Sequence, residues 1–91
     1  MTTARGTFEV RNKLGLHARA ATKLVQLATR YPCEIMVSRE GQSANAKSVM
    51  GVLLLCGSKG SRLDFEASGQ QADEAVRAIG ELIGNRFGEG E

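Results

Sequence analysis

Cysteine, histidine, proline and aromatic residues are all scarce in this chain of 91 residues. It contains two cysteines, one histidine, one proline and four aromatic residues, none of them tryptophan. Cys33 and Cys56 stand alone, without a CxxC spacing or clustered histidines, so we predict two free thiols and no disulfide or metal site. The aromatic residues are not clustered, which argues against a nucleic-acid partner.

Long apolar segments are missing as well. The longest, VMGVLLLC, covers residues 49–56, whereas a helix needs about 20 apolar residues to cross a bilayer. The beginning, MTTARGTFEV, has no apolar stretch typical of a secretory signal. We therefore expect a cytoplasmic protein without membrane insertion, and the length predicts a single domain over residues 1–91.

The charges are distributed unevenly along the chain. Residues 1–30 contain six basic side chains and one acidic side chain, whereas residues 31–91 contain six basic and nine acidic ones. The first third is thus a positive region, and its partner could be nucleic acid or an acidic protein surface. Since the chain has no recognised nucleic-acid motif, we expect this positive region to bind an acidic protein surface and not nucleic acid.

Apolar periodicity predicts seven elements in the order β-α-β-β-α-β-α. The predicted strands cover residues 7–11, 33–38, 42–45 and 62–68, and the predicted helices cover residues 18–30, 49–55 and 72–86. Each element has one apolar face, and the economical way to bury these faces is an α+β sandwich with helices on one side of a four-stranded antiparallel sheet. The tail from about residue 87 is expected to fray.

The sole histidine, His17, stands between the first predicted strand and the first predicted helix. The first N–H groups of a helix lack intrahelical partners and favour a bound phosphate. A neutral imidazole has a lone pair that can attack phosphorus, and Arg19 offers donors that fit phosphoryl oxygens. Gly15 permits the tight turn that presents the ring. An unreactive surface histidine is the alternative; a hydrolase or a metal enzyme would need a second histidine or a carboxylate near His17 in the sequence.

Two motifs extend this interpretation. The stretch NKLGLHARAA (Asn12–Ala21) resembles the active-site signature of the histidine-containing phosphocarrier (HPr) family of the bacterial phosphoenolpyruvate-dependent phosphotransferase system, and AKSVMGV (Ala46–Val52) resembles its regulatory serine motif. The resemblance covers nearly the whole chain and implies an open-faced β-sandwich with three helices on one side. It also implies a carrier, not an enzyme, without a cofactor. Ala20 stands where the family usually has proline, and because alanine favours helix we expect the helix to persist.

The resemblance also implies roles for individual residues. His17 would accept a phosphoryl group on Nδ1 from phosphorylated Enzyme I and pass it to IIA components, with Arg19 stabilising the phosphate. Ser48 is expected to cap the second helix, and the resemblance adds phosphorylation by a serine kinase, reversed by a phosphorylase. The implied docking surface for partners consists of Ala18, Thr22, Val49, Met50 and Leu53. The alternative is that the apolar residues of the second helix pack in the core. We expect a monomer.

Three functions remain open at this point. The first is a phosphoryl relay in sugar transport. The second is a regulatory module, nitrogen-related or signalling, that target proteins read through the phosphorylation of His17 and Ser48. The third, nucleic-acid binding, depends only on the positive first third. The sequence favours the first.

Overall fold

Residues 2–91 are described in the computed structural model of this chain, and the elements follow the predicted order. The strands are β1 (Thr3–Glu9), β2 (Glu34–Arg39), β3 (Gln42–Asn45) and β4 (Arg62–Ser68), and the helices are α1 (Ala18–Thr29), α2 (Val49–Leu54) and α3 (Ala72–Gly84). A single 3-10 turn, Arg86–Gly88, follows α3.

The strands form one antiparallel sheet in the order β1-β4-β2-β3. This topology confirms the predicted α+β fold. Because β1 pairs with β4, the loop that follows β1 lies beside the loop that precedes β4. Val10 N–H donates to Ser61 O over 2.8 Å, and Gly60 N–H donates to Val10 O over 2.8 Å. This pairing fixes the start of the segment that carries His17.

The core lies on one face of the sheet, under the helices. Alternate residues of β4 point into it, and Leu63, Phe65 and Ala67 are almost completely buried. Helix α3 packs closely on β1, since a Cβ added at Gly80 would lie 2.6 Å from Phe8 Cε1. Within the described part of the chain, no helix has the length and apolar character needed to cross a membrane.

Five of the seven elements have bounds that differ from the predicted ones, and no end of β2 or α1 differs by more than one residue. Strand β1 begins at Thr3, ahead of the alternating segment, because its pairing with β4 extends as far as Ser68. Helix α2 ends at Leu54, one residue early, and Cys56 takes a left-handed φ of 52°. Helix α3 ends at Gly84, and a chain reversal follows.

The tail from residue 87, for which the sequence predicts fraying, folds back against the domain. Arg86, Phe87 and Gly88 have φ values of 56°, 55° and 76°, and these left-handed conformations turn the chain back across the domain. Phe87 is fully buried, and Lys23 Nζ donates to its carbonyl oxygen over 2.6 Å. Phe87 therefore anchors the tail to the core, and residues 88–91 lie beside the loop before α1.

Candidate functional site at the start of helix α1

His17 is the N-cap residue of α1, as the sequence predicts. Its backbone is extended, with φ −79° and ψ 177°, and its side chain makes no capping hydrogen bond. Ala21 N–H donates to His17 O over 2.9 Å, which closes the first helical turn. The ring is therefore free of the capping role, and 27% of the side chain is exposed.

The loop before His17 is fixed against the segment that follows α2. Gly15 has φ +66°, and a Cβ there would lie 2.5 Å from Gly57 O. Leu16 N–H donates to Gly57 O over 2.7 Å, and the Leu16 side chain is buried. Glycine is therefore required at residue 15 for two reasons, its left-handed conformation and the close backbone contact.

Asn12, within the first motif, is a buried polar residue whose role the sequence did not reveal. It is 0% exposed. Its Nδ2 donates to Gly15 O over 2.8 Å and to Glu89 Oε1 over 2.9 Å. Its Oδ1 has no hydrogen-bond partner within residues 2–91. Since both partners of Nδ2 are oxygens that only accept, the orientation of the amide is determined.

Glu89, which no pattern in the sequence indicated, also lies at this site. Its second carboxylate oxygen, Oε2, hydrogen-bonds to Nε2 of His17, and its side chain is only 12% exposed. Although no carboxylate stands near His17 in the sequence, the fold brings the carboxylate of Glu89 into contact with its ring. The isolated aromatic residue Phe87, in a tail otherwise rich in glycine and glutamate, is the one sequence signal for a docked tail.

The surroundings of Glu89 keep its carboxyl group ionised. Desolvation raises its pKa, but the hydrogen bonds from Asn12 and His17 and the nearby charges of His17 and Arg19 outweigh it, so the pKa lies below its ordinary value of 4.5. Glu89 therefore accepts hydrogen bonds as a carboxylate throughout the neutral pH range.

A shallow cleft of about 500 Å³ lies next to the ring, between the loop, α1 and the tail. The residues that line it include three basic ones, Lys13, Arg19 and Lys23, and two acidic ones, Glu89 and Glu91. Arg19 is exposed, and no ion pair involving it is found among residues 2–91. The arrangement offers an imidazole, a helix N-terminus and an accessible guanidinium to an anion. Ala20 is buried in the first turn, and the helix persists as predicted.

The other predicted site residues lie on α1 and α2, which pack against each other. Ser48 caps α2, since its Oγ accepts a hydrogen bond from Gly51 N–H over 3.1 Å; this confirms the predicted cap. The five residues predicted for docking differ in exposure. Ala18, Thr22 and Met50 are exposed, while Val49 and Leu53 are half-buried against the core.

The described residues contain no group of three or more histidine, cysteine, aspartate or glutamate side chains that could hold a metal ion. Both cysteines are free; Cys33 is buried and Cys56 is exposed.

Comparisons with known proteins agree on one family. The family model described as "PTS HPr component phosphorylation site" matches residues 4–85. The phosphocarrier protein HPr of Pseudomonas aeruginosa is 53% identical over 81 residues, which cover 88% of this chain and 90% of that protein. The phosphocarrier protein NPr of Escherichia coli is 40% identical over 88 residues, covering 96% and 98% of the two chains. The crystal structure of HPr from Thermoanaerobacter tengcongensis superposes with a TM-score of 0.93 at 39% identity, covering 97% of this chain and 99% of that one. With the sheet order, the two motifs and this similarity in agreement, the chain belongs to the HPr family of phosphocarrier proteins.

Proposed function

We propose that this protein carries a phosphoryl group on His17, receives it from phosphorylated Enzyme I and passes it to IIA components. The observation that carries the proposal is the position of His17. His17 is the N-cap residue of α1, but its ring makes no capping hydrogen bond. The ring and Arg19 line the same cleft.

The chemistry needs only groups that are present at this site. Nδ1 of His17 attacks phosphorus and the new N–P bond forms. The bond between phosphorus and the donor protein breaks, and its electron pair leaves with the donor. The phosphoryl oxygens lie against the N–H groups of the first turn of α1 and the Arg19 guanidinium, which together balance the charge that develops in transfer. Transfer to an acceptor reverses these steps.

The proposal is tested by incubating the protein with phosphoenolpyruvate and Enzyme I. We expect one phosphoryl group per chain, labile in acid and stable in alkali, and its transfer to an added IIA component. Intact-mass spectrometry before and after acid treatment measures both the number and the lability. An unmodified chain after complete phosphorylation of Enzyme I would contradict the proposal.

A nitrogen-related carrier is the second candidate, because the E. coli protein NPr matches 96% of this chain at 40% identity. The two candidates share the chemistry of His17 and differ in the acceptor. The ratio of transfer rates to a sugar-specific IIA component and to a nitrogen-related one distinguishes them. Either way, we propose that the carrier works as a monomer in the cytoplasm, where its free thiols stay reduced.

We also propose that partners dock on α1 and α2 beside His17, through Ala18, Thr22, Val49, Met50 and Leu53. Met50 is 73% exposed, and it lies two residues after Ser48. The positive first third of the chain favours an acidic partner surface. A kinase that phosphorylates Ser48 would place about two negative charges at this surface and weaken the contact.

Ser48→Asp tests this regulatory role. We expect it to raise the carrier concentration that gives half-maximal transfer from Enzyme I by up to about tenfold, which corresponds to about 1.4 kcal/mol. The difference should narrow as salt screens the added charge. Ser48→Ala is the control, since it loses about 0.5–2 kcal/mol of cap stability but keeps normal transfer. If the transfer rate depended on carrier concentration in the same way for wild type, Ser48→Asp and Ser48→Ala, Ser48 would have only its capping role.

A further inference from the structure

The C-terminal tail supplies a carboxylate to a ring that is 72 positions away in the sequence. Glu89 Oε2 contacts Nε2 of His17, and Glu89 Oε1 accepts from Asn12 Nδ2 over 2.9 Å. Because Asn12 is fully buried and also bound to Gly15 O, the carboxylate has a fixed support. Two consecutive hydrogen bonds thus connect Asn12, Glu89 and His17. We name these three residues the tail triad.

We propose that Glu89 is a positioning residue, which holds the proton of the His17 ring on Nε2 and so keeps Nδ1 unprotonated for phosphoryl transfer. The proposal rests on the proposed function of His17. An ionised carboxylate can only accept, so the ring nitrogen that faces it must carry a proton. In a neutral imidazole the lone pair then lies on the other nitrogen. The His17 side chain makes no capping hydrogen bond to the first turn of α1, so the lone pair on Nδ1 stays available.

The same contact acts on the phosphorylated state. When Nδ1 attacks phosphorus, the Nε2 proton stays in place, and the ring becomes a phosphorylated imidazolium with a positive charge. Glu89 lies against this charge and stabilises it, as a buried carboxylate stabilises the imidazolium of a catalytic histidine. When the N–P bond breaks during transfer to the acceptor, its electron pair returns to Nδ1 and the ring is neutral again. No net proton movement is required.

Glu89→Gln provides a test in which the hydrogen-bond direction reverses. Asn12 Nδ2 continues to donate to the side-chain oxygen at residue 89, so the new amide group faces His17 and donates to Nε2. The lone pair of the ring is then held on Nε2, and the proton moves to Nδ1. We expect the ¹⁵N shifts of the His17 ring at neutral pH to change from the Nε2–H pattern to the Nδ1–H pattern.

Phosphoryl transfer should change in parallel with the ring proton. We expect Glu89→Gln to slow acceptance from Enzyme I by more than about tenfold, since the wrong tautomer blocks the nucleophile. Glu89→Ala imposes no tautomer, so it should be slowed less than Glu89→Gln. A role in packing alone predicts the opposite order, because glutamine preserves the shape of the side chain and alanine does not.

Glu81→Gln is the matched control. It makes the same change at an exposed glutamate of α3 that does not line the cleft, and it should leave the ring shifts and the transfer rate unchanged. A wild-type ring with Nδ1–H as its main tautomer, or Glu89→Gln with wild-type shifts or wild-type rates, would overturn the role of Glu89. If the wild-type protein accepted no phosphoryl group, the proposed function would be overturned instead. The ¹⁵N shifts of the His17 ring would still show which tautomer Glu89 selects.

Discussion

We expect His17→Ala to abolish acid-labile phosphorylation of the chain completely. The reason is that His17 is the only histidine, and neighbouring groups can bind a phosphoryl group but cannot accept it through a ring nitrogen. The measurement is transfer of radiolabel from phosphoenolpyruvate through Enzyme I, followed by acid treatment.

The fold should survive this substitution. The His17 side chain makes no capping bond in α1 and lies outside the core, so the variant should keep its circular dichroism spectrum and unfold at nearly the same temperature. Thr29→Ala, at the exposed far end of the same helix, is the control and should be labelled fully. Acid-labile label in folded His17→Ala would show that another residue is the acceptor.

Phe87→Ala should be among the most destabilising substitutions in the protein. The ring is fully buried in the core, although it follows the last helix. Loss of such an aromatic side chain lowers the free energy of unfolding by about 3–5 kcal/mol. Denaturation with urea, monitored by circular dichroism, measures this change.

Arg86→Ala is the matched control for Phe87. Residue 86 is exposed and has almost the same left-handed backbone, with φ 56° against 55°. Its substitution should change the free energy of unfolding by no more than about 0.5 kcal/mol. If Phe87→Ala had an equally small effect, the tail would not be anchored in the core.

Local patterns in the sequence predicted most of the fold. The bounds of β3 and β4 match the predicted ones, because their turns and alternation are encoded in neighbouring residues. The position of His17 at the helix start followed from the break at Gly15 and the apolar spacing after Ala18. The exposure of the residues proposed for docking was harder to predict, since Met50 and Leu53 stand one helical turn apart and still differ in exposure.

The part of the site that sequence analysis missed depends on tertiary contacts. A tail of glycine and glutamate has the composition of a frayed end, and its docking depends on Phe87 finding space in the core. The carboxylate partner of His17 could not be found from spacing, since no local rule relates residues 17 and 89. Asn12 was part of the first motif, but its burial and its bond to Glu89 became apparent only with the fold.

The separation between His17 and Glu89 also bears on folding. The tail triad closes a loop that spans most of the chain, and such long-range contacts carry a large entropic penalty until the intervening segments have packed. The tail triad should therefore be among the last contacts to form and among the first to open in the native state. Hydrogen exchange would then show the tail opening while the sheet stays protected. In those moments, the proposed carrier would be otherwise folded but would lose control of its ring proton. Competence for transfer would then report complete folding more strictly than secondary structure does.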